Sequence, residues 1–261
     1  MRKSLRIVML CLLLAVTLLL PASLVSGQVG HDALKGCEQF AFSTEEDFVT
    51  YGPEPSDGNP IISDGDLLGA NCVVCARNQD LLACFDVTQD LGLDATDVID
   101  VDSYLVAFST ELDSPHGSQF TAGDLLVTNG AIIANVALTH LFGVGYDMGL
   151  DALHFVGDME GIIAFLNAVL EGQITREYWL ANPGDLPEML AEYDIDIWFS
   201  TEGTWTPAGR PGFLDGDLLS ARDGVIVAGN DALLPPGVPA GIPSEGVDFG
   251  LDAVTSNRAG D

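Results

Sequence analysis

Hydrophobic and polar positions along this chain fall into short strand-like runs set off by turns, and the turns share a vocabulary. Phe-Ser-Thr-Glu occurs at Phe42–Glu45, Phe108–Glu111 and Phe199–Glu202, each time after a strand-like run such as Tyr104–Ala107 or Ile195–Trp198. Gly-Asp-Leu-Leu follows at Gly65–Leu68, Gly123–Leu126 and Gly216–Leu219. Gly-x-Asp-Ala occurs four times, at Gly30–Ala33, Gly92–Ala95, Gly149–Ala152 and Gly250–Ala253. Three phrases in a fixed order mark an internal repeat.

Each unit reads as a strand ending in Phe-Ser-Thr-Glu, a Gly-Asp-Leu-Leu strand, a turn, a third strand and a last strand at Gly-x-Asp-Ala. Asn129-Gly130 and Asp223-Gly224 suit two-residue hairpin turns, whose central positions need positive φ. Counting outward from those turns sets Asp124 against Asn135 and Asp217 against Asn230. The units span roughly 30–91, 92–148 and 149–249, with a closing strand at 250–261. The third holds an insertion, 157–194. There Ile162, Phe165, Leu166, Val169 and Leu170 take helical spacing between Asp158, a good N-cap, and Gly172, a good C-cap. A second short helix starts at Asp185 with Pro187 in its first turn. Residues 235–243, rich in Pro and Gly, read as a surface loop. The fold class is mainly β: about twelve strands in a closed pseudo-threefold arrangement, trefoil-like or small propeller-like, with an ordinary β-sandwich as the alternative.

The N-terminus breaks the pattern. Arg2, Lys3 and Arg6 precede an apolar run from Ile7 to Leu20, and small residues lead to Gly27. This is the layout of a signal peptide over residues 1–27, and it predicts a secreted protein with no membrane attachment after cleavage and one repeat-built domain over 28–261. Cys11 lies inside the apolar run, away from any lipidation position. The segment takes three of the nine basic residues and none of the 39 acidic ones, so Lys35 is the last lysine. The remaining field repels nucleic acid and anionic membranes and concentrates cations. Asp dominates over Glu, which fits turns and hard-cation ligands better than solvated helix surface.

The repeat resembles stretches of uncharacterised exported proteins of environmental bacteria, in which a strand ending in Phe-Ser-x-[Asp/Glu] precedes Gly-Asp-[Leu/Ile]-[Leu/Phe] and then a Leu-Gly-Leu segment. Leu91–Leu93, Gly149–Leu153 and Gly250–Ala253 carry the likeness. It implies export and repeat architecture and assigns no activity.

Four cysteines lie beyond the apolar run: Cys37, Cys72, Cys75 and Cys84. An even count in an exported chain predicts two disulfides. A two-residue turn at Gln79-Asp80 sets Cys75 opposite Cys84 and leaves Cys37 for Cys72. Chemistry concentrates in the acidic loops. Asp64 and Asp66, Asp215 and Asp217, and Asp124 at the matching place are candidate Ca²⁺ ligands, because Asp-Gly turns present side-chain and backbone oxygens together. Asp57-Gly-Asn59 and the group Asp97, Asp100 and Asp102 are further oxygen-rich turns. The same aspartates also serve turn hydrogen bonds, and for those within the repeated phrases that is the favoured role. No full EF-hand loop, His-Glu-x-x-His or Gly-x-Ser-x-Gly is present, and no catalytic residue is nominated. His154, in an apolar strand, reads as a core histidine. Of three tryptophans, Trp198 reads as core, and Trp205, in a loop beside Pro207, is the candidate glycan contact. These features predict a non-enzymatic extracellular binding or structural module with a protein or glycan partner and Ca²⁺ as its one candidate cofactor. A carbohydrate-active protein is the alternative. A third possibility gives the insertion a partner-docking role.

Overall fold

The computed structural model describes residues 34–38, 40–52, 55–70, 73–209, 212–233 and 250–255. The segment 1–27, Gly30–Ala33, Cys72, residues 235–243 and 256–261 lie outside the described residues. Among the described residues no helix is long and apolar enough to cross a membrane.

Among the described residues the protein is β-rich, with four small antiparallel sheets and few helices. The first sheet has β1 (Ala41–Phe42), β4 (Leu67–Gly69) and β5 (Val73–Ala76) in the order β1-β4-β5. A two-stranded ribbon, β2 (Phe48–Val49) and β3 (Ile61–Ile62), departs from it. The second is a meander of β6 (Thr96–Asp100), β7 (Leu105–Phe108), β8 (Leu125–Val127) and β9 (Ile132–Ile133). The third repeats that order with β10 (Leu153–Gly157), β11 (Ile195–Phe199), β12 (Leu218–Ser220) and β13 (Ile226–Ala228). The sheets are separate, and among the described residues no ladder closes them into a barrel or propeller. Residues 250–255 form no strand.

The turns are longer than the sequence suggests. Around Asn129-Gly130 the hairpin closes through Val127 N–H to Ala131 O and Gly130 N–H to Val127 O, a three-residue loop with Gly130 at φ 97°. In the third sheet Ser220 N–H bonds Val225 O, so the loop around Asp223-Gly224 holds four residues. A bulge in each of the first and third sheets shifts the β4–β5 and β12–β13 registers. After the outer strand the chain does not continue extended. It turns into a short helix, α1 (Asn78–Leu81), α2 (Asn135–Leu138) or α6 (Asn230–Leu233).

Helix α1 overturns the predicted cysteine pairing. Gln79 and Asp80 lie within it, so Cys84 is carried away from Cys75, and the disulfide joins Cys37 to Cys75, with Cα atoms 6.1 Å apart. Cys84 is an exposed free thiol.

The insertion contains α3 (Met159–Glu171), capped by Asp158 and Gly172, and α5 (Asp185–Glu192). Between them lies α4 (Arg176–Ala181), a helix the hydrophobic spacing did not reveal because one turn and a half holds too few repeats of the period. Ile162, Phe165, Leu166 and Val169 of α3, Trp179 of α4, and Leu186 and Leu190 of α5 enter one core with Phe155, Ile197 and Phe199 of the third sheet and Leu125 and Ile133 of the second. A smaller core joins the first and second sheets around Leu67, Phe85, Phe108 and Phe120.

Candidate carboxylate centre

Three buried Asp–Asn pairs frame the site. Asp66, Asp124 and Asp217 each accept, through Oδ1, the backbone N–H of Asn78, Asn135 and Asn230 at 3.2, 2.9 and 2.9 Å. That N–H opens a short helix and has no partner within it, so the aspartate satisfies it. The same carboxylates accept the N–H three residues back, from Ser63, Thr121 and Leu214. Each asparagine then reaches across the chain. Its Nδ2 donates to the Gly-Asp-Leu-Leu glycine carbonyl (Gly65, Gly123, Gly216) and to the carbonyl of the next Gly-x-Asp-Ala glycine (Gly92, Gly149, Gly250). In the first two cases Oδ1 accepts from Leu91 and Met148 N–H. The Asp–Asn neighbours inferred by counting do meet, but through the asparagine backbone N–H at a helix start and not side chain to side chain across a ladder. Arg77 and Arg176 add ion pairs to Asp66 and Asp124.

Both oxygens of Asp66, Asp124 and Asp217, three of the five candidate ligands, thus already accept hydrogen bonds from the framework. Other acidic turns resolve the same way. Asp57 takes a bidentate contact from Arg77, which holds its carboxyl below the usual range. Asp97 accepts the Phe155 N–H and lies 3.4 Å from His154 Nδ1, both side chains buried between β6 and β10. Asp100 accepts the Asp102 and Ser103 N–H groups.

The carboxylates left over converge. Oxygens of Asp94, Asp151 and Glu202 lie within 4.8 Å of one another. Asp94 and Asp151 come from two Gly-x-Asp-Ala copies, and Glu202 from the third Phe-Ser-Thr-Glu. The phrase explains how they meet. Gly92 and Gly149 have φ of 73° and 76°, a left-handed turn that glycine takes freely. A Cβ on Gly92 would sit 2.7 Å from the Glu111 carboxyl carbon, and one on Gly149 would sit 2.5 Å from that of Glu202. The glutamate therefore lies directly over the glycine, beside the aspartate two residues on.

Electrostatics mark the same place. Burial pushes Asp94 up to about 8, with Asp151, Glu202, Glu111 and Glu45 adding like-charge repulsion. Burial also pushes Asp151 up to about 6, helped by Glu202, Asp252, Asp215 and Glu45. Glu111 is raised by burial and then by Asp64, Glu45, Asp90 and Glu202. Asp64 is raised by burial, Asp90 and Asp47. The first member of each doubled aspartate, Asp64 or Asp215, therefore stands at the rim of this centre, while the second is locked in the framework. Three close carboxylates can ligate a hard divalent cation or share protons.

An open groove of about 440 Å³ borders the centre, lined by Gly123, Tyr146, Asp147, Gly149, Glu202 and Thr204 among others. Trp205 is not a free platform. It bridges Phe213 through its backbone, donates Nε1–H to Phe142 O at 3.3 Å, and packs on the core. Tyr146, 53 % exposed and 5.9 Å from the Trp205 ring, is the aromatic that faces solvent. Trp198 is half-buried with Nε1–H on Asp196, whereas Trp179 is the fully buried tryptophan.

Asp94, Asp151 and Glu202 were absent from the candidate ligands because nothing in one strand's sequence says which loops share an end of the molecule. The available signal was that each is the acid of a repeated phrase. No protein-family model matches the chain, and neither the curated proteins nor the solved structures contain a match to it.

Proposed function

We propose that this chain is an exported, non-enzymatic binding or structural module of three related units, arranged about a common pseudo-threefold centre, in which the phrase-borne carboxylates hold a divalent cation of the Ca²⁺ class. The carrying observation is the meeting of Asp94, Asp151 and Glu202 within 4.8 Å, from sequence-distant copies of two phrases. Uncompensated, such a group opposes folding. A cation removes that opposition, and Glu45, Glu111 and Asp252 are near enough to perturb the same aspartates. The recurring Asp–Asn bonds support the three-unit reading, since each set hands the chain on to the next Gly-x-Asp-Ala.

The test is thermal melting with Ca²⁺ and with chelator at matched ionic strength. At a hundredfold over Kd, Ca²⁺ is expected to add about 2.7 kcal/mol, and Glu202→Gln and Asp94→Asn are expected to abolish that gain. A wild-type melt indifferent to Ca²⁺ would overturn the reading.

A carbohydrate-active protein is the second reading, favoured by the groove that puts Tyr146 beside Glu202, next to an aspartate that keeps its proton near neutrality. Hydrolysis of chromogenic glycosides lost in Glu202→Gln, and inhibited rather than supported by Ca²⁺, would replace the first reading with this one.

A further inference from the structure

Four Gly-x-Asp-Ala copies serve three main sheets, and the mismatch has a location. In the second and third sheets the phrase leads into the first strand: Thr96 pairs with Phe108 and Leu153 with Phe199. One residue further, Ser109 N–H bonds Ala95 O and Ser200 N–H bonds Ala152 O. Among the described residues the first sheet has no such strand, and β1 pairs with β4 alone. Its two residues are half-exposed, whereas all four residues of β7, in the same place, are buried.

Residues next to the first copy are committed elsewhere. The 3₁₀ turn Lys35–Cys37 packs on β5 and β4 and is tied to β5 by Cys37–Cys75, at the opposite edge of the sheet from β1. The last copy is anchored by hydrogen bonds without forming a strand over 250–255. Asn230 Nδ2–H bonds Gly250 O and Ser200 Oγ–H bonds Leu251 O. Asn135 to Gly149 and Ser109 to Leu150 are the corresponding bonds one sheet earlier, just ahead of β10. Asp252 and Glu45, the residue three beyond Phe42, both act on Asp151, so the segment and β1 lie around one centre.

We propose that the free edge of β1 is the acceptor for the last Gly-Leu-Asp-Ala copy, with Val254 opposite Phe42, Thr255 opposite Ala41, and Ser43 N–H donating to Ala253 O. The register is the one the other two sheets already use. The proposal rests on the recurring hydrogen-bond register and on these placements, and it stands whether or not the centre holds a cation.

The experiment is disulfide trapping in the full chain, with Ala41→Cys and Thr255→Cys in a Cys84→Ser background and peptide mapping of the product. An intrachain 41–255 link is expected. No link, or a link between two chains, overturns the proposal. Should the double variant fail to fold, hydrogen exchange of the unmodified chain decides. The Ser43 amide should exchange more than about tenfold slower than a free amide, and unprotected exchange there sinks the assignment.

Discussion

Asn135 shows how much one side chain does at a phrase boundary. It bonds the Gly123 and Gly149 carbonyls and the Met148 N–H, while its own N–H is taken by Asp124. Asn135→Ala keeps the last bond and orphans three backbone groups in a buried setting. At about 1 kcal/mol or somewhat more per lost bond, the variant should lose roughly 3–4 kcal/mol in denaturant unfolding. A loss under about 1 kcal/mol would mean that water replaces the amide. Asp94 makes the contrasting case of a group that costs stability. Its folded pKa, about 8, stands above the ordinary 3.8, so between those values the folded state binds more protons than the unfolded one. Its unfavourable contribution is absent below the unfolded value and grows as pH rises to the folded one. Without added divalent cations the wild-type melting temperature should fall from pH 5 to pH 8. Asp94→Asn should flatten that slope and gain at least about 2 °C at pH 8, the shift that roughly 1 kcal/mol gives in a chain of this size. An unchanged slope would show that solvent or other groups already relieve the charge.

At the scale of elements, legibility in the sequence follows whether a signal is local. Helix α3 was legible to the residue because its period spans three turns and Asp158 and Gly172 take the cap positions, although the Asp158 side chain makes no cap hydrogen bond. The phrases marked the strands of the second and third sheets but not their turns, since Gly130 serves a three-residue loop as readily as a two-residue one, and the last copy forms no strand over 250–255. The Asp–Asn pairs were legible as neighbours, whereas the short helices that present the asparagines hold too few residues to show a period. Three carboxylates from distant positions could not be read as one group, because their meeting depends on how sheets pack. Outer strands show another tertiary device. Trp179 of α4 is fully buried and donates Nε1–H to Ile132 O on β9, covering the outer strand of the second sheet. Trp179→Ala should cost about 3–5 kcal/mol and expose that edge, read as a lower urea midpoint together with faster exchange of the β9 amides. A loss confined to stability, with β9 still protected, would assign the covering role to the rest of the insertion. The outer strand β13 has no such lid among the described elements that contact it, and Val225 and Ile226 stand 50 % and 42 % exposed.

At the scale of the whole molecule the question is how a chain with formal net charge −30 stays folded. Pairing accounts for little of the charge. Among the described residues Arg77, Arg176 and Arg222 engage carboxylates, and Arg77 and Arg176 spend themselves on the buried framework, not on the centre. At the centre Asp151, Glu202, Glu111 and Glu45 repel Asp94, where burial weakens screening. Two kinds of relief are open, and they separate by concentration. Mobile ions act through ionic strength: from about 10 mM to about 0.5 M NaCl the Debye length falls from roughly 30 Å to roughly 4 Å, which silences exposed pairs but reaches buried ones poorly. A bound divalent cation acts at the centre itself and saturates at a concentration set by its Kd. Melting temperature should therefore rise gradually with NaCl, by at least about 4 °C over that range, and should rise further on a saturating curve with Ca²⁺ at fixed ionic strength. Glu202→Gln should erase the saturating part and leave the gradual part in place, because it removes one ligand and scarcely alters the total charge. If NaCl alone brings the protein to its full stability and Ca²⁺ adds nothing, screening suffices and the clustered acids are neutralised by their own protons, with Asp94 the first to hold one.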